Sequence, residues 1–350
     1  MMVPRLSRMA GASLSERLAQ GPVICAEGYL FELERRGYIQ AGAFVPEAVL
    51  DHPEKVTELH REFVHAGSDV VEAFTYYAHR EKMRIVGKED LLEELNRQAL
   101  ALAKEVADET GTLFAGDICN TNVFDPSDEA SKRAVRAMFE EQVGWAAEAG
   151  VDFVIAETFS HAEETKMAVE TIKAAGLPAV ATMIVHQEPE TRDGFSLADA
   201  CALYEQAGAD VVGLNCGRGP RTMLPLLPAI VERVSCHVAA LPVPYRTHEH
   251  EPTFQSLTDA QWDGMAFPTA LEPLTCNRYE LAEFATEAAG LGVNYIGICC
   301  GNAPHFLRSL AEALGRTPPA SRYSPDMSKH AYFGDDPSLK DENRTFAEQL

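Results

Sequence analysis

The chain is short of positive charge. Over 350 residues it carries 30 Lys and Arg against 53 Asp and Glu, a formal net charge of −23. That balance repels nucleic acid and anionic lipid headgroups, so neither is expected as a partner. Long apolar runs are also missing. No segment reads as a bilayer span, and the first twenty residues, MMVPRLSRMAGASLSERLAQ, hold no continuous apolar stretch of signal-peptide length. A cytoplasmic protein is therefore expected. With no leader, and at this length, a disulfide framework is not expected, and the eight cysteines are read as reduced thiols. No break in composition divides the chain, and no DxHxxG run that would ligate the cobalt of a corrinoid occurs.

What is present is an alternation of short apolar runs with longer amphipathic ones. Eight runs read as strands: Pro22 to Ala26, Asp69 to Phe74, Leu113 to Asp117, Phe153 to Glu157, Ala179 to Ile184, Val211 to Asn215, His237 to Leu241 and Tyr295 to Cys299. Between most of them lie helical stretches: Pro53 to Ala66, Lys88 to Glu109, Asp128 to Ala149, Ala162 to Ala175, Ser196 to Ala207, Met223 to Val234 and Arg278 to Leu291. Several stop at a glycine just before the next strand, as in HAG-SDVV and EAG-VDFV. Eight βα units point to a single (β/α)8 barrel over residues 1–316. A doubly wound open sheet is the competing architecture. The closed ring accounts more simply for candidate site residues that come from strands far apart in sequence. Val243 to Pro273, with His248 and His250, reads as a polar insert after the seventh strand. The segment 317–350 reads as a tail that packs on the barrel or on a partner subunit.

Cysteines single out the chemistry. Cys299 and Cys300 stand side by side in GICCGN, and Cys216 stands in GLNCGRG; each group follows a strand-like run. Neighbours inside a strand point to opposite faces, so two adjacent thiols share a target only where the strand ends and the backbone turns. Gly301, directly after the pair, permits that turn. Three thiolates converging from two strand ends suit Zn2+ with a fourth position open to substrate. The other cysteines read as small core residues.

Barrel enzymes carry their chemistry at the C-terminal ends of the strands. Those ends present Glu27, Gly28, Thr75, Tyr76, Tyr77, Glu157, Thr158 and Asn215 beside the thiols. Glu157 closes the apolar run FVIAE, where a carboxylate either salt-bridges at the rim or holds a substrate ammonium. Tyr76 and Tyr77 either pack or offer ring faces to a quaternary or sulfonium cation.

IAETF followed by HAEE, GLNCGRGP and GICCGNAPHFLRSLAEAL together resemble the homocysteine S-methyltransferase family. The stretch EGYLFELERRGYIQAGAFVPEAVLDHPEKVTELHREFVHAGSDVVEAFTYYA is similar to its betaine–homocysteine branch almost without gaps. The resemblance spans roughly Val23 to Leu314. It implies a barrel, a zinc held by Cys216, Cys299 and Cys300, and methyl transfer from a cationic donor to the sulfur of homocysteine. It also implies that Glu157 holds the amino acid and that Tyr77 belongs to the donor side. A homo-oligomer fits the same resemblance. Three positions depart from the family pattern. Its first strand usually ends in Asp-Gly-Gly or Asp-Gly-Ala, where this chain has Ala26-Glu27-Gly28. The betaine enzymes carry tryptophan at the place of Phe44 and tyrosine at the place of Thr158. Phe44 keeps a ring face but has no N–H to offer a donor carboxylate. Donors such as S-methylmethionine or dimethylsulfoniopropionate are therefore alternatives to betaine. The rival outside the family is a barrel lyase or hydrolase that uses Asp117, Glu157 and a loop histidine, with structural cysteines.

Overall fold

The structure, a computed structural model, describes residues 12–259, 261 and 264–350. Residues 1–11 lie outside it, and with them the first half of the stretch searched for a leader. Eight parallel strands close into a barrel in sequence order: β1 Val23–Ala26, β2 Val70–Glu72, β3 Leu113–Cys119, β4 Phe153–Phe159, β5 Ala179–Met183, β6 Val211–Asn215, β7 His237–Leu241 and β8 Tyr295–Ile298. The ring closes where β1 pairs with β8, from Val23 opposite Tyr295 to Ala26 opposite Ile298. Every strand is buried along nearly its whole length. This is why the strands read as continuous apolar runs: a parallel barrel is covered on both faces.

Helices follow the strands around the outside. Pro53–Ala66 forms as read, and Asp128 and Ser196, the first residues of two expected helices, serve as N-caps that accept from Ala130 N and Asp199 N. The stretch 223–234 differs. It is a short turn Pro220–Met223, a 3-10 turn Leu224–Leu226 and a helix Leu227–Arg233. Pro225 and Pro228 each lack the N–H that a continuous helix needs. Sequence periodicity also missed Pro304–Ala313, the helix that follows β8, and the short Tyr29–Arg35 helix that follows β1.

The insert after β7 packs down over the barrel mouth. Tyr245 and Phe254 are buried with stacked rings 5.7 Å apart, and Phe254 N donates to Gly217 O at 2.8 Å. His248 and His250 stay exposed, and His248 pairs with Glu251 at 3.0 Å. The tail begins as a 3-10 turn, Pro319–Tyr323, set against helices Pro53–Ala66 and Pro304–Ala313. Among the described residues no helix is long and apolar enough to cross a membrane.

Candidate active site

The three thiols meet. Sγ of Cys216, Cys299 and Cys300 all lie within 4.8 Å of one another. Cys216 arrives from the end of β6, where its backbone turns left-handed (φ 56°) directly after Asn215. Cys299 arrives from β8, its N–H held by Pro242 O at 2.9 Å, and Cys216 N is held by Leu241 O at 2.9 Å. Both cysteines are thus fixed to the end of β7, the strand between their own. Tetrahedral zinc with Zn–S near 2.3 Å would set sulfurs about 3.8 Å apart, so the donor set and its spacing fit that ion. Hydrogen bonds from Cys299 and Cys300 hold the Cys216 thiol well below its ordinary pKa. Burial raises Cys299, and the bond to Cys216 raises Cys300.

Beside the thiols lies a polar knot. Asn215 Nδ2 stands 2.8 Å from Glu157 Oε2, 2.9 Å from Thr158 Oγ1, 3.1 Å from Glu27 Oε2 and 3.8 Å from Cys299 Sγ. Thr158 donates its hydroxyl to Glu157 at 2.8 Å, and its own N–H goes to Asn215 Oδ1 at 2.9 Å. The local backbone explains how Glu157 and Thr158 come to face this point. Thr158 has φ 61°, rare for a β-branched residue, and the β4–β5 register shifts between Ala156 and Phe159. Strain of this kind collects where a site is built. Tyr77 (φ 63°) and Phe44 (φ 52°) share it.

Glu27 reaches the knot because β1 stops beside β8. Its N–H donates to Ile298 O at 3.2 Å, and its carbonyl accepts from Asn302 Nδ2 at 3.2 Å. Gly28 follows at φ 87°, and a Cβ built there would collide with the Cys299 carbonyl. Only glycine brings β1 so close to the thiols.

Four carboxyl groups gather here: Glu27, Glu157, Glu72 on β2 and Asp117 on β3, all buried. Burial pushes Glu157 up to about 7. It raises Glu27 as well, with the Glu157 charge adding to the shift. Burial and then Glu157 raise Glu72 and Asp117 in the same way. Glu72 was not named from the sequence, and Asp117 was named there as the end of its strand and as a residue of the rival lyase. The signal was a carboxylate inside an otherwise apolar strand, as in DVVEAF and FAGDIC.

The aromatic candidates divide. Tyr76 and Tyr77 pack together at 4.3 Å, and Tyr76 joins Cys299, Cys300, Glu72, Asp117 and Glu157 in lining one cleft. Lys82 Nζ sits over the Tyr77 ring at 4.7 Å. Phe44 stacks on Phe31 at 5.8 Å and belongs to a ring cluster with Phe254 and Phe267. Thr75 donates its hydroxyl to Asp117 O at 2.7 Å, so it ties β2 to β3.

Comparison with known proteins gives a consistent picture. The family profile described as Homocysteine S-methyltransferase matches residues 24–314. Betaine–homocysteine S-methyltransferase 1 of Mus musculus is 36% identical over 350 residues, covering 95% of this chain and 82% of the relative. S-methylmethionine–homocysteine S-methyltransferase BHMT2 of the same organism is 35% identical over 344 residues, covering 95% and 89%. The metallated crystal structure of the homocysteine methyltransferase MmuM from Escherichia coli superposes with a TM-score of 0.65 at 19% identity, covering 84% of this chain and 96% of that one. That last likeness bears on the fold: the same barrel.

Proposed function

The chain belongs to the homocysteine S-methyltransferase family, and from that premise we propose that it moves a methyl group from a cationic donor to the thiol of L-homocysteine, giving L-methionine, at a zinc held by Cys216, Cys299 and Cys300. The observation that carries this reading is the convergence of three sulfurs from two strand ends beside a buried carboxylate knot. Zinc held there would supply the Lewis acidity that favours the thiolate at neutral pH, where a free thiol (pKa about 8.5) stays largely protonated. Glu157 and Glu27 hold the acceptor's ammonium, and Asn215 and Thr158 keep the Glu157 carboxylate aimed. Backbone amides near Gly28 face the acceptor's carboxylate.

The acceptor sulfur attacks the donor methyl in line. An S–CH3 bond forms, the bond from methyl to the positive nitrogen or sulfur breaks, and its electron pair stays with the leaving amine or thioether. Charge is neutralised on the way to the transition state, so a dry cleft lined by Tyr76 favours the step over water. Placement of the two reactants in contact contributes roughly 7–11 kcal/mol in favourable systems.

Betaine is the donor in one set of relatives and S-methylmethionine in another. Phe44 and Thr158 favour a donor that asks for fewer polar contacts, so a sulfonium compound is the second reading. Residues 317–350 serve as a packing segment for the barrel or a second copy. Methionine formation from homocysteine, assayed in parallel with glycine betaine, dimethylsulfoniopropionate and S-methylmethionine, tests the proposal. Turnover with at least one is expected, and none with zinc-replete enzyme contradicts it.

A further inference from the structure

Two of the buried carboxylates, Glu72 and Asp117, have no task in the chemistry above. They are 3% and 5% exposed, yet Glu72 Oε2 and Asp117 Oδ1 have no hydrogen-bond partner, and neither does Glu27 Oε1. An unpartnered buried carboxylate oxygen is costly unless something fills its place. The described residues offer no buried countercharge. Among the described residues no lysine is buried, and the one buried arginine, Arg218, donates to the carbonyls of His186 and Gln187. Glu72, Asp117 and Glu157 line the same cleft as Cys299 and Cys300. One oxygen from each of the three carboxylates lies within 4.8 Å of the others. A primary ammonium donating three charge-assisted bonds of about 2.8 Å would hold its acceptors roughly 4.6 Å apart.

We propose that Glu72 and Asp117, together with Glu157, form an ammonium seat in the floor of the cleft, so that the enzyme selects thiols that carry a protonated amine. The inference rests on the acceptor reading above: it keeps Glu157 and puts Glu72 on β2 and Asp117 on β3 in the place given there to Glu27 as the ammonium's other acceptors. The seat shares its cleft with Cys299 and Cys300, so an aminothiol entering there would put its sulfur at the cysteines and its amine at the acids. A thiol of the same length without the amine leaves Glu72 Oε2 and Asp117 Oδ1 buried without a partner. Sites built around buried polar groups reject ligands that leave those groups unpaired far more strongly than apolar pockets reject a missing methylene.

The test is calorimetric titration of the zinc-loaded protein, without methyl donor, using homocysteine and its deaminated analogue 4-mercaptobutanoate. The wild type is expected to prefer homocysteine on the order of a hundredfold or more. The Glu72→Gln/Asp117→Asn double variant is near-isosteric, and its fold and zinc content are checked in parallel. It should keep one zinc per chain, weaken homocysteine at least tenfold and hold 4-mercaptobutanoate as well as the wild type does or better. Each single variant is measured too, so that one poorly folded protein does not decide the matter. Undiminished preference in the variants overturns the proposal. So does a second metal ion per wild-type chain that disappears in the double variant, because the acids would then be a metal site. A wild type that binds neither thiol sinks the acceptor reading itself, and this seat with it.

Discussion

Glu157 is the residue on which the polar side of the site turns. Its folded-state pKa of about 7 lies above the ordinary value of 4.5, chiefly through burial. Below pH ~4.5 both folded and unfolded forms are protonated and the group has no effect on stability. As pH rises from there to about 7, the unfolded chain ionises first and stability is lost, up to about 3 kcal/mol, with no further change above that window. Zinc-free Glu157→Gln should therefore melt with a flatter pH profile than the wild type between those limits and be the more stable protein at pH 8. Parallel profiles would show that Glu157 ionises freely in the fold. Gly28 acts at the same scale through space. Alanine there must adopt φ 87° and pushes on the Cys299 carbonyl, at a cost of about 1–2 kcal/mol for the backbone alone. Gly28→Ala should keep its barrel circular dichroism and hold zinc less tightly in a chelator competition, and unchanged zinc affinity would contradict that.

At the level of elements, the seam between β1 and β8 decides whether Glu27 and Cys299 share a site. Asn302 closes it, accepting nothing from the seam but donating Nδ2 to Glu27 O while its N–H caps Cys299 O at 2.9 Å. Asn302→Ala leaves a buried carbonyl without its donor and should cost about 1–3 kcal/mol in denaturant unfolding. It should also raise KM for homocysteine more than it lowers kcat; a loss in kcat alone would place Asn302 elsewhere in the mechanism. Strand order and the thiol triad were legible in the sequence because both follow from local pattern. A covered parallel strand must be apolar, and a cysteine pair just past its end must turn inward. The distortion at Thr158 was not legible. A β-branched residue in a strand run reads as regular strand, and only the neighbouring strands show that it bulges. Glu72 was lost for a related reason. Which face of a strand looks into the barrel depends on closure, so an acid in DVVEAF could equally have faced a helix. Pro304–Ala313 went unread as an element because its residues were taken as part of the thiol motif.

The molecule as a whole combines an acidic exterior with an acidic cleft. A net charge of −23 favours cationic over anionic ligands without choosing among them; in the proposed reading that choice falls to Tyr76 and the carboxylates of the cleft. The central claim is that a sulfur-ligated zinc gathered from β6 and β8 activates the acceptor. Metal analysis and methionine formation measured together on wild type and Cys216→Ala test it most directly. The account predicts about one zinc per wild-type chain, loss of both zinc and turnover in the variant, and a barrel that stays folded. A Cys216→Ala protein that retains stoichiometric zinc and full methyl transfer would contradict it.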